Sequence, residues 1–128
     1  MIKLVYCIRK HASLSSEDFS KYWLNQHAEL MRQEAERIGA CRYVQSHSLA
    51  STASAEQSNR VRGSTLPPYD GITEIWWQCE ADMLPSAFTK EALIETQKKL
   101  LADEKNFIDT AQSVIFMTEE YEIFNFSA

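Results

Sequence analysis

Four stretches of this chain alternate side chains with a period of two, and the spacing lengthens to a helical period between the first and second and again between the third and fourth. That order, strand–helix–strand followed by strand–helix–strand, narrows the choice of fold more than any single motif does. The first stretch, residues 2–9, sets Ile2, Leu4, Tyr6 and Ile8 against Lys3, Val5, Cys7 and Arg9, the signature of a strand with one strongly buried face. Next come two helix-start devices. Ser15 can cap the amide three residues on while Asp18 reaches back, and Leu14 and Phe19 have the spacing of a hydrophobic staple. Phe19, Tyr22, Trp23, Leu30, Met31 and Ile38 then follow one helical stripe, and Gly39 supplies a left-handed stop.

The second strand is expected over residues 41–49, with Cys41, Tyr43, Gln45, His47 and Leu49 on one side. Residues 50–68 are rich in Ser, Thr, Ala, Asn and Gln and end in Pro67 and Pro68, so they read as a long flexible surface loop with too little apolar area to order itself. The third strand is expected over residues 72–79, with Ile72, Glu74, Trp76 and Gln78 on one face. Asp82 is read as the cap of a short helix with Pro85 in its first turn, and Thr89 as the start of a second piece running to Glu104. The fourth strand is read as a long one, residues 113–124. The whole chain of 128 residues is therefore expected to be a single α+β domain of ferredoxin-like βαββαβ topology, with a four-stranded antiparallel sheet and two helices on one of its faces. One sheet face would be left bare, which points to a homodimer packed through that face.

Charge and cysteines limit the partners. A net charge of −5 disfavours nucleic acid. No apolar run reaches the roughly 18 residues that span a bilayer, so no membrane role is expected. Cys7, Cys41 and Cys79 are odd in number, lack CxxC spacing and lie in or beside strand segments, where they read as small buried hydrophobes suited to a reducing cytoplasm.

Several residues are candidates for chemistry. His27 falls on or beside the apolar stripe of the first helix, where it is either a core imidazole bonded to a backbone carbonyl or a pocket acid or base, near Tyr43, His47 or Trp76. His47 shares a face with Tyr43, and two histidines with a tyrosine around one cavity would form a proton-transfer set. Glu74, between Ile72 and Trp76, is either a desolvated carboxylate or the partner of Arg42 or Arg9 in a salt bridge. Asp103, Glu104 and Asp109 put acids where a helix dipole prefers cations, for turn capping or for catalysis. No metal site is expected: His11, His27 and His47 have no ligand spacing with the cysteines, and no glycine-rich phosphate loop or GxSxG is present.

Residues 19–28, Phe-Ser-Lys-Tyr-Trp-Leu-Asn-Gln-His-Ala, with Ile2 to Val5, Arg42 to His47, Tyr69 to Trp76, Asp103-Glu104, Phe107 to Asp109 and Glu119 to Tyr121, resemble the EthD domain family, named for ethyl tert-butyl ether degradation, of the dimeric α+β barrel superfamily. The resemblance runs over nearly the whole chain and implies a ferredoxin-like dimer and no metal or organic cofactor. It implies either of two functions. One is a cofactor-independent lyase, isomerase or cyclase for a small hydrophobic or aromatic molecule, as in polyketide-related members, with His27 and His47 moving protons, Tyr43 assisting, and Trp23, Tyr69, Glu74, Trp76 and Phe107 lining the substrate site. The other is a non-catalytic small-molecule-binding accessory in a monooxygenase-linked degradation pathway, in which His27 is structural.

Overall fold

The computed structural model describes residues 1–49 and 52–127. Strands β1 (Ile2–Ile8), β2 (Arg42–His47), β3 (Gly71–Trp77) and β4 (Val114–Glu119) form one antiparallel sheet in the order β2-β3-β1-β4. This is the arrangement expected of a split β-α-β fold. In register, Leu4 lies opposite Ile75 and Met117, and Tyr6 opposite Thr73 and Ile115. Period-two alternation thus turns Leu4, Tyr6, Ile8, Tyr43, Thr73, Ile75 and Trp77 toward the helices. Val5, Cys7, Ile72, Glu74, Trp76 and Phe116 line the opposite face.

The first helical region is three pieces in one rod: α1 (Ser16–Tyr22), a π-helical turn (Trp23–His27) and α2 (Ala28–Ile38). Ser15 Oγ accepts the Asp18 N–H at 3.0 Å, as the capping pattern requires, and Gly39 closes the rod in the left-handed region at φ 75°. The π turn has a visible purpose. Steps of four residues from Phe19 to Trp23, His27 and Met31 over-rotate a helix of 3.6 residues per turn, and the wider turn absorbs the excess, so that all four are buried.

Three expectations need correction. Within the segment 50–68, where a flexible loop is expected, residues 50 and 51 lie outside the described residues, but Ala53–Arg62 forms a helix, α3. Local devices specify it: Thr52 caps the Ala55 N–H at 3.2 Å and Gly63 ends it at φ 68°. None of its residues is buried, so it adds nothing to the core. Asp82 does not cap a helix. It lies inside a 3-10 turn (Glu80–Met83), and α4 (Lys90–Glu104) begins after Thr89, whose hydroxyl accepts the Ala92 N–H at 3.1 Å. The last strand stops at Glu119 because β1 ends its pairing there, opposite Ile2, and residues 120–124 have no neighbouring strand.

The cysteines also differ from expectation. All three are free; Cys41 and Cys79, which flank β2 and β3 rather than sitting inside them, are exposed, and Cys7 is half-buried.

Between helices and sheet the core divides into two clusters. Ile8, Phe19, Trp23, Phe107 and Ile108 form one, and Met31, Ile38, Trp77 and Leu100 the other. Where α2 meets α4, Thr96 Oγ1 donates to buried Glu34 at 3.1 Å. No helix among the described residues is long and apolar enough to cross a membrane.

Candidate active site

A cavity of about 190 Å³ separates the two core clusters, with walls from both. That is smaller than the ~300–1,000 Å³ typical of sites for drug-sized molecules, so it suits a compact ligand. Its polar lining is sparse: His27, Tyr6, Glu104, Tyr43, Thr73 and Gln97 among apolar side chains. A larger groove of about 580 Å³ runs beside α2 and β2, past Leu24, Arg32 and Arg42, but His27, Tyr6 and Glu104 do not line it.

His27 reaches the cavity from the π turn and is 6% exposed. Its Nδ1–H donates to Asp103 Oδ2 at 2.7 Å, and the second oxygen of Asp103 accepts the Tyr22 hydroxyl at 2.5 Å. Asn106 in turn donates to the Tyr22 oxygen at 3.1 Å. Phe107 backs the imidazole, with ring centroids 4.9 Å apart. The ring is therefore fixed in orientation and tautomer, and Nε2, on its far side, has no hydrogen-bond partner among the described residues. Burial lowers the His27 pKa below its usual 6.5, and Asp103 only partly offsets the effect, so the ring is neutral at neutral pH.

Opposite shifts occur beside it. Glu104, the last residue of α4, has its pKa raised, chiefly by burial. Tyr6 is pushed up to about 12 by its own burial and by the nearby Glu104 carboxylate. Burial thus opposes the charged form of all three groups in one small cavity, which holds the imidazole as a neutral base and disfavours ionisation of Glu104 and Tyr6.

Of the residues expected at the site, His27, Tyr43 and Trp23 line the cavity. His47 does not. It lies tilted against the Trp23 indole, ring centroids 4.3 Å apart, and is linked to Tyr43 through Gln45. Phe107 supports His27 from behind, fully buried. Tyr69 lies outside, beneath the Arg9 guanidinium at 4.2 Å, and the same guanidinium donates to the Pro67 and Pro68 carbonyls.

Glu74 and Trp76 are on the opposite face of the sheet, because helix-facing positions on β3 fall at Thr73, Ile75 and Trp77. The partner of Glu74 is Lys3 at 2.8 Å rather than Arg42 or Arg9. The register explains it: Val5 faces Glu74, and Lys3 is the diagonal neighbour on the same face. Arg42 instead covers the Trp76 ring at 4.4 Å. Asp103 and Glu104 were signalled in the sequence by acids at a helix C-terminus. Tyr6 had only its place in the alternation of β1, and Gln45 and Thr73 carried no signal beyond strand parity.

A model of the EthD domain matches residues 11–111. The chain belongs to the EthD family. No curated protein matches it. Among solved structures, an EthD family protein from Bacillus halodurans C-125 superposes with a TM-score of 0.61 at 15% identity, over 94% of this chain and 99% of the other. HapK from Hahella chejuensis gives 0.56 at 12% identity, over 100% of this chain and 99% of its own. An EthD-like protein from Ralstonia eutropha JMP134 gives 0.55 at 14%, over 92% and 90%. Identities this low establish a shared fold and leave the chemistry to the site.

Proposed function

We propose that this EthD protein is an enzyme that binds a small hydrophobic or aromatic molecule between helices and sheet and moves a proton on it, using His27 as the general base. The observation that carries the reading is the Asp103-held imidazole at the wall of a largely apolar cavity, with Nε2 unengaged. With Nδ1–H committed to Asp103, the lone pair on Nε2 takes a proton from the ligand, and the Asp103 carboxylate stabilises the imidazolium that forms. Returning that proton to another atom of the same molecule is the common step of isomerisation, cyclisation and elimination. No metal or organic cofactor takes part in this scheme. We also propose that the working form is a homodimer joined through the open sheet face.

The experiment is hydrogen–deuterium exchange at the carbon beside a carbonyl, followed by NMR in D2O with 2-tetralone as probe. The protein should accelerate exchange over buffer, and His27→Gln should lower the acceleration by about 10²–10⁴-fold. Tetralone that binds without faster exchange would assign the chain to the alternative, a non-catalytic binding accessory.

A further inference from the structure

Among the described residues, one buried side-chain nitrogen or oxygen lacks a hydrogen-bond partner: Nε1 of Trp23. The indole is 0% exposed and lines the cavity. An indole N–H can only donate, and a buried donor left unpaired loses its water without recovering the bond. Its surroundings show what is missing.

The neighbouring hydrogen bonds can be assigned one after another from a fixed point, the Trp23 carbonyl, which can only accept. Gln45 Nε2 lies 2.8 Å from it and must therefore be the amide nitrogen, donating there and also to the Tyr43 hydroxyl oxygen at 2.9 Å. Gln45 Oε1 is then the acceptor for His47 Nε2–H at 2.8 Å, which leaves His47 Nδ1 to accept from Ser20 Oγ at 3.0 Å. Every member of this relay is committed except the hydrogen of Tyr43, whose oxygen is already an acceptor. The Trp23 and Thr73 side chains also lie within hydrogen-bonding influence of that hydroxyl. Two donors, the Trp23 N–H and the Tyr43 O–H, thus adjoin each other beside the cavity: the first makes no hydrogen bond of ordinary geometry, although the Tyr43 oxygen is its neighbour, and Thr73 is the neighbour of the second. His27 stands one π turn from Trp23 on the same helix and lines the same cavity.

We propose that Trp23 Nε1–H and Tyr43 O–H together bind an oxygen of the ligand, which makes the ligand class a compact apolar compound carrying a carbonyl. The inference rests on the proton-transfer reading for its chemistry and on the orphaned indole for its geometry. When His27 Nε2 removes the hydrogen beside the carbonyl, the C–H bond breaks and an N–H bond forms. The electron pair moves into the new C=C, and the charge that develops on the oxygen is held by the two donors, which act as an oxyanion site. The enolate is discharged when His27 gives the proton back. His47, outside the cavity, is a positioning residue that keeps Gln45 and hence Tyr43 in place.

The test compares 2-tetralone with tetralin, the same ring skeleton without the oxygen, by ¹⁵N NMR of the indole groups and by calorimetry. The chain has three tryptophans, and Trp23→Phe assigns the resonance. The Trp23 N–H resonance should move downfield with 2-tetralone and stay in place with tetralin, and the ketone should bind about tenfold more tightly or better. Tyr43→Phe, which keeps the ring and serves if Trp23→Phe fails to fold, should erase most of that preference. His27→Gln should keep it, so a failure of the proton-transfer reading and a failure of this one give different results. Equal affinity for the two compounds, an unmoved Trp23 resonance in the ketone complex, or no binding of the ketone would overturn the assignment.

Discussion

His27 is held between two opposed influences: burial lowers its pKa, and the Asp103 carboxylate 2.7 Å away raises it. Burial wins. Asp103→Asn removes the opposing charge, so the His27 pKa, read from an NMR titration of the imidazole, should fall further below 6.5. A rise would mean that Asp103 does not support the imidazolium. The same shift has a consequence for stability. Because the folded value lies below the unfolded one, the contribution of neutral His27 is complete above about pH 6.5 and is lost as the pH falls through the folded value. His47, lowered by burial as well, acts in the same direction. Urea unfolding should therefore show less stability at pH 5 than at pH 7.5, and His27→Gln should reduce that difference. His27, Trp23 and Tyr43 were legible in the sequence because a helical stripe and a strand alternation each have one sense of burial. Glu74 and Trp76 were not, because both faces of β3 carry large apolar residues, Ile72 and Trp76 on one and Ile75 and Trp77 on the other, so parity alone does not say which face meets the helices.

At the level of elements, the helix and strand order was readable, and so were the Ser15 and Thr89 caps, because each is specified within four residues of sequence. The π turn was not readable: it reflects a contest between four-residue spacing and helix pitch that only tertiary packing decides. The helix α3 was missed because its residues bury nothing, whereas its two end devices, Thr52 and Gly63, are local and were present in the sequence. Gly39 combines both kinds of demand. It ends α2 at φ 75°, and an added Cβ would come within 2.0 Å of the Asp82 carbonyl oxygen, which is backbone and cannot step aside. Gly39→Ala should therefore destabilise the fold by about 2 kcal/mol or more, the strain of a left-handed alanine compounded by the clash. Thermal unfolding measures it. A variant as stable as the parent would show that the turn after α2 relaxes freely. Gly71 is similarly close, since a Cβ there would meet the Trp23 ring at 2.4 Å. Gly71→Ala should disturb the indole that lines the cavity as well as lower stability.

For the whole molecule, the question is what covers the second face of the sheet. The helices cover one face over β1, β2 and β3 but leave Ile115 and Met117 of β4 56% and 46% exposed on that side, and Phe116, Val114 and Ile72 stand 47%, 46% and 37% exposed on the other. Trp76 is buried there only because Lys3 and Arg42 lie over its ring and its Nε1–H donates to Glu120 at 3.1 Å. Beyond β4 the chain continues with Ile123, Phe124 and Phe126 exposed at 86%, 73% and 90%, an apolar segment with no strand beside it in its own subunit. A face and an adjoining segment of this kind match a second copy of themselves, since a two-fold axis places each against its own equivalent. Such a homodimer should bury roughly 2,000 Å² or more and survive dilution to micromolar concentration. Light scattering should then return twice the 14.7 kDa chain mass. Phe116→Lys, which places a charge on the open face at its edge strand β4 and leaves the helix side untouched, should give folded monomers with an unchanged circular dichroism spectrum. A parent protein that scatters as a monomer, or a Phe116→Lys variant that stays dimeric, would move the interface away from the sheet.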